Sequence, residues 1–500
     1  MSSRRPFEAA RDGGADAAVA LLDASGSAVL DPSTPERETA PAPASIRLGR
    51  GRAQRRHAGD PPAEARLVLR GRLAITGLLA TGLLVVISAA NTQSFLPLSL
   101  RPLPPSLPLG GVFSGVVLDL HVAGAIAVLI AMFCSYAIAV SVSEHLSPRL
   151  VIGSIVALIV LVMLGPPLVS TDVFSYQAYA RMGASYGINP YLHGPYAINL
   201  DHVFPFVGSK WSYTPSAYGP LFTVFSYALA KLSIATSVYV YKAIAGAAAL
   251  GLVAVVWRCA GELRCSRTRA AALVGLNPLL IVYGVGGGHN DLLMLLAVSG
   301  ALYALVRGRD RLGGVLGVAA AGVKLTGALL LPFAVAARCP KRGSDRPREL
   351  LIGIALALAV ILALSFAVFG SGGFHILGTL SQGQKEGSWN SIPGFISSRL
   401  GLHTVSIVVT GLLAAAFTGV CCWLLRRVWR SQMDWIAAAG WATLAMLVSS
   451  SSLLPWYVAW MLPFAALGRD RRLARASVAM TGIVLGVQLL GFVPHGSPLF

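Results

Sequence analysis

The chain has 500 residues, of which 55% are hydrophobic and 12% are charged, and its formal net charge is +19. Soluble domains carry about 25% charged residues, so this composition excludes an ordinary soluble enzyme and favours a polytopic membrane protein. The basic residues cluster in short connections between apolar runs, such as 258–269, 338–348 and 426–430. This is the pattern of cytoplasmic loops rather than of a nucleic-acid surface, so we expect no nucleic-acid partner.

The chain begins with a segment that differs in composition from the rest. Residues 1–67 are rich in Ala, Pro, Gly, Arg and Asp and lack apolar periodicity, which predicts a disordered cytoplasmic tail. An integral-membrane domain over 68–500 is expected to follow, because apolar runs of near 20 residues recur along it. The fold class we predict is all-α, a polytopic membrane protein with about 11–13 transmembrane helices and broken or re-entrant elements.

The order of the predicted spans gives a topology. Spans near 73–90, 118–142 and 150–169 lead from a cytoplasmic N-terminus to a large outer loop at 170–215, and a second outer loop is expected at 370–402. The charge rule requires that 221–233 does not cross, so we interpret it as a re-entrant or interfacial helix. The apolar stretch 313–336 has Lys324 at its centre and basic residues on both sides, which predicts a broken pair of half-helices.

Polar residues that an apolar scaffold does not need are concentrated on the predicted outer side. Asp172 follows the third span in a dense aromatic block, and it is either a reactive carboxylate at the membrane boundary or the cap of a following helix. Asn290 in GVGGGHND has the same two interpretations, catalysis and capping, whereas His289 is assigned to function. Lys324 snorkels to the interface, is neutralised by a partner carboxylate, or binds a buried phosphate as a point charge.

Several classes of protein are excluded or left open by the motifs. The chain has no GK[ST] phosphate loop and no HExxH, which argues against an ATPase and a zinc protease. A transporter or flippase of a lipid-linked sugar stays open, because transporters use broken helices and buried lysines. A polymerase or ligase with a large outer loop is the third class, but such enzymes rely on loop arginines and this loop has only Arg181.

Several sequence blocks carry a family resemblance. PPLVSTDVFSYQAYARMGASYGINPY with KWSYTPSAYGPLF, then GGGHNDLLMLLAV, AAAGVKLTGALLLPFAV and LLPWYVAWMLPFA resemble, in this order, the actinobacterial polyprenol-phosphate-mannose-dependent α-1,6-mannosyltransferases of the GT-C superfamily. The resemblance covers about 70–495. It implies an inverting glycosyltransferase of the plasma membrane that moves mannose from polyprenyl-phosphate-mannose to a lipid-linked mannan acceptor on the outer face.

The resemblance also assigns roles to residues. Asp172 is the expected catalytic base, because an inverting transfer needs one group that deprotonates the acceptor hydroxyl. No acidic cluster indicates a bound metal, so a metal-independent reaction without a cofactor is expected. The remaining candidates fall into two groups. Donor phosphate is assigned to Arg181, Lys210, His289 and Lys324, and the sugar and acceptor to Tyr176, Tyr191, Trp211, Tyr218, Asn290, Asp291 and Trp456.

Overall fold

A computed structural model describes residues 63–490 except 92–94, 98–99, 101–107, 117, 340–344, 387 and 399. These residues form helices and turns, and no β-strand occurs among them, so the predicted all-α class is confirmed. Residues 1–62, most of the predicted tail, lie outside the described residues, and the tail stays a prediction.

The N-terminal half of the described chain contains eight α-helices. They are α1 (Ala63–Asn91), α2 (His121–Val142), α3 (Pro148–Leu164), α4 (Asp172–Tyr186), α5 (Pro220–Tyr227), α6 (Ile234–Glu262), α7 (Arg267–Gly275) and α8 (Asp291–Val306). A π-helical segment, Leu279–Val285, lies between the last two of them.

The C-terminal half continues with nine more α-helices. They are α9 (Asp310–Val323), α10 (Leu330–Ala336), α11 (Arg346–Phe369), α12 (Ile376–Glu386), α13 (Ile392–Ser398), α14 (His403–Trp429), α15 (Trp435–Ser449), α16 (Leu462–Leu467) and α17 (Arg471–Leu490). Short 3-10 segments join several of them, and Pro455–Met461 precedes α16.

Five described helical stretches are long and apolar enough to cross a membrane, and they contain α1, α2, α6, α11 and α14. The pair α7 and Leu279–Val285 passes the same test together but bends by 49°. Five shorter apolar helices have 10–17 residues, and further crossings in the predicted number would have to come from these. The molecule is thus a multi-pass helical protein in which several elements are short, bent or broken.

Four segments depart from a pattern of simple spans and loops. Helix α3 ends at Leu164, and not near 169, because Gly165, Pro166 and Pro167 follow it. The predicted loop 170–215 begins with the 15-residue helix α4, most of which is buried. The stretch 313–336 is broken as predicted, since Lys324 has an extended backbone between α9 and a 3-10 turn. The segment 221–233 contains only the eight-residue α5.

The bundle has two ends, and several helices run from one to the other. Helix α3 begins next to Glu144 and ends before Asp172, and α6 and α8 also start at the Asp172 end. The core between them is built from small and branched side chains, including Ile155, Ala249 and Leu295, all at most 1% exposed. Close packing of this kind gives a rigid support for the polar residues at the Asp172 end.

Candidate active site

The segment 165–171 carries the chain from α3 to Asp172 and is held at several points. The backbone amide of Leu168 donates to the carbonyl of Gly286 over 3.0 Å, and that of Val169 donates to Phe95 over 2.8 Å. Val169 has a φ of 52°, which is rare for a β-branched residue and indicates strain held by the surroundings. The position of Asp172 is therefore determined by contacts with distant parts of the chain.

Lys242 anchors the start of this segment. It lies in α6, its side chain is 0% exposed, and its Nζ donates to the carbonyls of Gly165 and Pro166 over 2.5 and 2.7 Å. A cation at the C-terminal end of α3 also matches the negative end of the helix dipole. Lys242 was not among the predicted site residues, although a lone lysine within a predicted span is a signal of function by itself.

Asp172 is the first residue of α4 and is 9% exposed. The N-cap is Thr171, which makes no side-chain capping bond; Asp172 therefore does not occupy the capping position. The Tyr218 hydroxyl donates to Oδ2 of Asp172 over 3.4 Å. Burial and the charge of Asp172 raise the pKa of Tyr218 well above its ordinary value, so this hydroxyl stays protonated and acts as the donor.

His289 lies against Asp172 from the other side. Its Nδ1 is 3.2 Å from Oδ2 of Asp172, an ion-pair distance, yet neither ring nitrogen has the alignment of a hydrogen bond to a described residue. The imidazole stacks on Trp456, with ring centroids 3.7 Å apart and planes at 21°. The preceding Gly288 has a φ of 67°, and a Cβ there would come within 2.6 Å of Val173. Glycine at 288 thus allows the turn to bring His289 onto α4.

The surroundings set the charge of Asp172. Burial alone raises the pKa of this carboxyl, but the charge and contact of His289, and then Lys324 and Ser170, lower it below its ordinary value. The direction follows from opposite charges and hydrogen bonds that favour the ionised form. Asp172 is therefore a carboxylate at neutral pH, the form in which a general base must be.

Asp291 has a different environment. Its two oxygens lie 2.8 and 2.9 Å from Nζ of Lys324, and the Trp460 indole donates to Oδ1 over 2.7 Å. Lys324 also lies over the rings of Tyr457 and Trp460, at 4.6 and 5.2 Å from their centroids. Lys324 is thus neutralised by a partner carboxylate, Asp291, which is one of the interpretations that the sequence left open.

Asn290 lies beside Tyr176 in the same region. The Tyr176 hydroxyl donates to Oδ1 of Asn290 over 3.4 Å and accepts from its backbone amide over 3.3 Å. The Asn290 side chain makes no capping bond to α8, so capping is not its role here. Tyr176 packs edge-on against Tyr218 with centroids 4.8 Å apart, which connects this pair to Asp172.

A cavity of about 900 Å³ opens beside Asp172. This volume is at the upper end of the range for small-molecule sites, ~300–1,000 Å³. The wall contains Asp172, the stretch 207–212 with Lys210 and Trp211, and Trp456, together with residues that the sequence analysis did not select. These additional residues include Leu96, Tyr283, Asn390, Leu454 and Gln488.

Eight of the twelve candidates do not line this cavity, and two of these, Arg181 and Tyr191, make only structural contacts. Arg181 forms an ion pair with Asp201 over 2.7 Å and donates to the carbonyl of Leu232, so its guanidinium is already used. Tyr191 is buried, donates to the carbonyl of Tyr218 over 2.7 Å and packs on Phe369. Both side chains stabilise the fold around the site, and their predicted contacts with substrate have no geometric support.

Comparison with protein families gives two matches. The model described as alpha-(1->6)-mannopyranosyltransferase, N-terminal domain, matches residues 74–340, which include Asp172, His289 and Lys324. The model described as MptB C-terminal domain matches residues 391–500, which include Trp456 and Gln488.

Individual relatives are bacterial. The chain is 29% identical to alpha-(1->6)-mannopyranosyltransferase A of Mycobacterium tuberculosis, over 67% of this chain and 68% of that protein. It is 30% identical to a probable alpha-(1->6)-mannopyranosyltransferase of Mycolicibacterium smegmatis, over 64% and 66%. With alpha-(1->6)-mannopyranosyltransferase B of Corynebacterium glutamicum it shares 30% over 60% and 55%. The matches therefore span between about half and two thirds of each relative. No solved structure matches significantly.

Proposed function

Because this chain belongs to the alpha-(1->6)-mannopyranosyltransferase family, we propose that it is an inverting mannosyltransferase that uses polyprenyl-phosphate-mannose. The acceptor we propose is a lipid-linked mannan or glycolipid, and the new bond is an α-1,6 linkage. The names of the relatives support the mannosyltransferase activity. The proposed donor, acceptor and stereochemistry are argued from the geometry of the site.

The observation that carries the proposal is the placement of Asp172. Its carboxylate lies on the wall of a cavity large enough for sugars, and its low pKa keeps it ionised. The contacts from Tyr218 and His289 reach Oδ2. We therefore assign Oδ1 as the atom that accepts a proton from substrate.

The reaction follows from one base and a good leaving group. The oxygen of the acceptor hydroxyl attacks the anomeric carbon of mannose from the face opposite the phosphate, while its proton passes to Asp172. The bond between the anomeric carbon and the phosphate oxygen breaks, and polyprenyl phosphate leaves with the electron pair. A single displacement inverts the anomeric configuration, so a β-linked donor gives an α-linked product.

The donor end of the cavity is assigned to the stretch 207–212. Lys210 is the lysine on the cavity wall. Trp211 lies next to it and offers an aromatic face for a sugar ring, and its centroid is 5.5 Å from Nζ of Lys210. Lys210 would neutralise the phosphate, and apolar residues such as Leu96 and Leu454 suit the first carbons of the polyprenyl chain.

A transfer assay tests the proposed function. Membranes that contain the protein are incubated with polyprenyl-phosphate-mannose labelled in the sugar and with an octyl α-mannoside acceptor. We expect a labelled disaccharide that an α-1,6-specific mannosidase cleaves. Labelled donor that changes leaflet without any product would instead support the flippase alternative, and labelled product with a β linkage would exclude inversion.

The proposed location is the plasma membrane, with the N-terminus in the cytoplasm and the active site outside the cell. A cysteine at Ser209, in the cavity wall, should react in intact cells with a thiol reagent that does not cross membranes. A cysteine at Ser344, in the basic connection before α11, should not. Labelling of the second position alone would reverse the proposed orientation. Both variants are made in a background without the native cysteines, since Cys134 and Cys422 are exposed.

A further inference from the structure

Three polar side chains on the cavity wall lack partners. Nε1 of Trp456, a side-chain nitrogen of Gln488 and the side-chain oxygen of Asn390 are buried and make no hydrogen bond to any described residue. All three residues line the cavity that contains Asp172, and Trp456 is only 6% exposed. Buried polar groups are normally paired, and unpaired ones require an explanation such as a ligand.

These groups come from distant parts of the chain. Asn390 lies in the turn before α13, Trp456 in the 3-10 segment before α16, and Gln488 near the end of α17. The fold itself does not need an amide at position 390 or 488. An apolar residue there would avoid the free-energy cost of a buried, unpaired polar group. Their convergence on one cavity therefore indicates a common ligand.

The chemistry of the groups matches sugar hydroxyls. Each amide offers both a donor and an acceptor, and the indole offers a donor. A hydroxyl can donate and accept at once, so neighbouring hydroxyls on a sugar ring satisfy such a set without adding a charge. A phosphate is a poorer match, since none of these three side chains carries a positive charge.

Trp456 connects the three unpaired polar groups to the proposed base, Asp172. Its ring stacks on His289, whose Nδ1 is 3.2 Å from Asp172. The sugar that binds here is thus close to the residue that takes a proton from the acceptor. The donor phosphate has its own cation, Lys210, in the stretch 207–212.

We propose that Asn390, Trp456 and Gln488 form the subsite for the acceptor sugar and bind its ring hydroxyls. This inference rests on the proposed function, because it divides the cavity between donor and acceptor. It adds two residues, Asn390 and Gln488, that no motif indicated.

The test uses Gln488→Met, which keeps the length of the side chain and removes its amide. Gln432→Met, at an exposed position after α14, is the matched control. With an octyl α-mannoside as acceptor, we expect Gln488→Met to raise the acceptor KM about three- to tenfold, the worth of one neutral hydrogen bond. The KM for polyprenyl-phosphate-mannose should not change. Asn390→Leu is a second variant and should act in the same direction.

A direct binding measurement separates failure of this subsite from failure of the proposed function. Titration of the octyl α-mannoside into purified full-length protein without donor should give a Kd that rises three- to tenfold in Gln488→Met. This change supports the subsite even if the wild type transfers no mannose, a result that would reject the function alone. An unchanged acceptor Kd in both variants, or a rise only in the donor KM, would overturn the subsite.

Discussion

Asp172 and Asp310 are both buried carboxylates at the first position of a helix, but they differ in how completely they are paired. Asp310 is held by the guanidinium groups of Arg338 and Arg346, one on each oxygen, and Arg338 also packs against the ring of Trp435. Asp172 has a histidine without hydrogen-bond alignment and a tyrosine at 3.4 Å. Both oxygens of Asp310 are therefore occupied by cations, whereas the carboxylate of Asp172 can still accept a proton.

The difference shows that burial of a charge is a poor guide to function by itself. Asp291 resembles Asp310, since Lys324 and Trp460 occupy its oxygens, although it lies two positions from His289. A carboxylate whose lone pairs are already used stabilises the structure around a site. We therefore expect substitutions at these aspartates to separate loss of activity from loss of stability.

The largest effect on activity is expected for Asp172→Asn. Asparagine preserves the volume and cannot take a proton, so transfer should fall by ~10²–10⁴-fold while the protein still inserts and folds. Asp172→Glu is the control and should keep part of the activity, because the carboxylate remains. Rates are compared at equal amounts of protein in the membrane, and a rate near that of the wild type for the asparagine variant would remove Asp172 from the chemistry.

Asp310→Asn should instead lower stability. It leaves the buried Arg338 without its carboxylate, and breaking a buried pair costs about 3–5 kcal/mol. Thermal unfolding in detergent measures this loss, and the protein that remains folded should transfer mannose at the normal rate. Arg311→Met is the matched control, since its pair with Glu349 is exposed and such pairs contribute about 1 kcal/mol or less. Loss of activity at unchanged stability would contradict the comparison.

Lys242→Met tests how the carboxylate is held in place. The variant loses the donors to Gly165 and Pro166, and a shift of Asp172 by about 1 Å would cost up to ~10²-fold in rate. We expect kcat to fall and the donor KM to stay constant, because Lys242 does not line the cavity. Lys231→Met, at an exposed position, should have no effect. Equal rates for both variants would show that the segment keeps its position without Lys242.

The smallest effect expected is a shift in pH dependence. His289 lowers the pKa of Asp172 against the opposing effect of burial, so His289→Gln should raise this pKa. At a given acidic pH a smaller fraction of Asp172 is then ionised, and the acidic limb of kcat/KM moves to higher pH. The pH profiles of the two proteins are compared directly. A limb that stays in place or moves to lower pH would show that another group controls it.

The sequence predicts some of the segments that meet at the site. Composition gave the helical class, and the order of spans brought Asp172, His289 and Trp456 to one side of the bundle. The structure confirms that these three residues are in contact. The break at Lys324 was also predictable, because a charge flanked by short apolar stretches does not fit a simple span.

Pairing between side chains was less accessible from sequence. Arg181 was selected as a free cation, but its partner Asp201 lies 20 residues away in a region without regular periodicity. Lys324 and Asp291 are 33 residues apart and meet only because α8 and α9 pack together. Asn390 and Gln488 carry no charge and belong to no motif, so only the shape of the cavity reveals them.

The left-handed backbone of Val169 has a consequence for evolution and engineering. A glycine at this position would remove the steric conflict, but it would also add conformational entropy to the unfolded chain. The same change would make the backbone more flexible three residues before Asp172, where the proposed base must be held in position. Valine at 169 thus restricts the chain next to the proposed base at the cost of backbone strain.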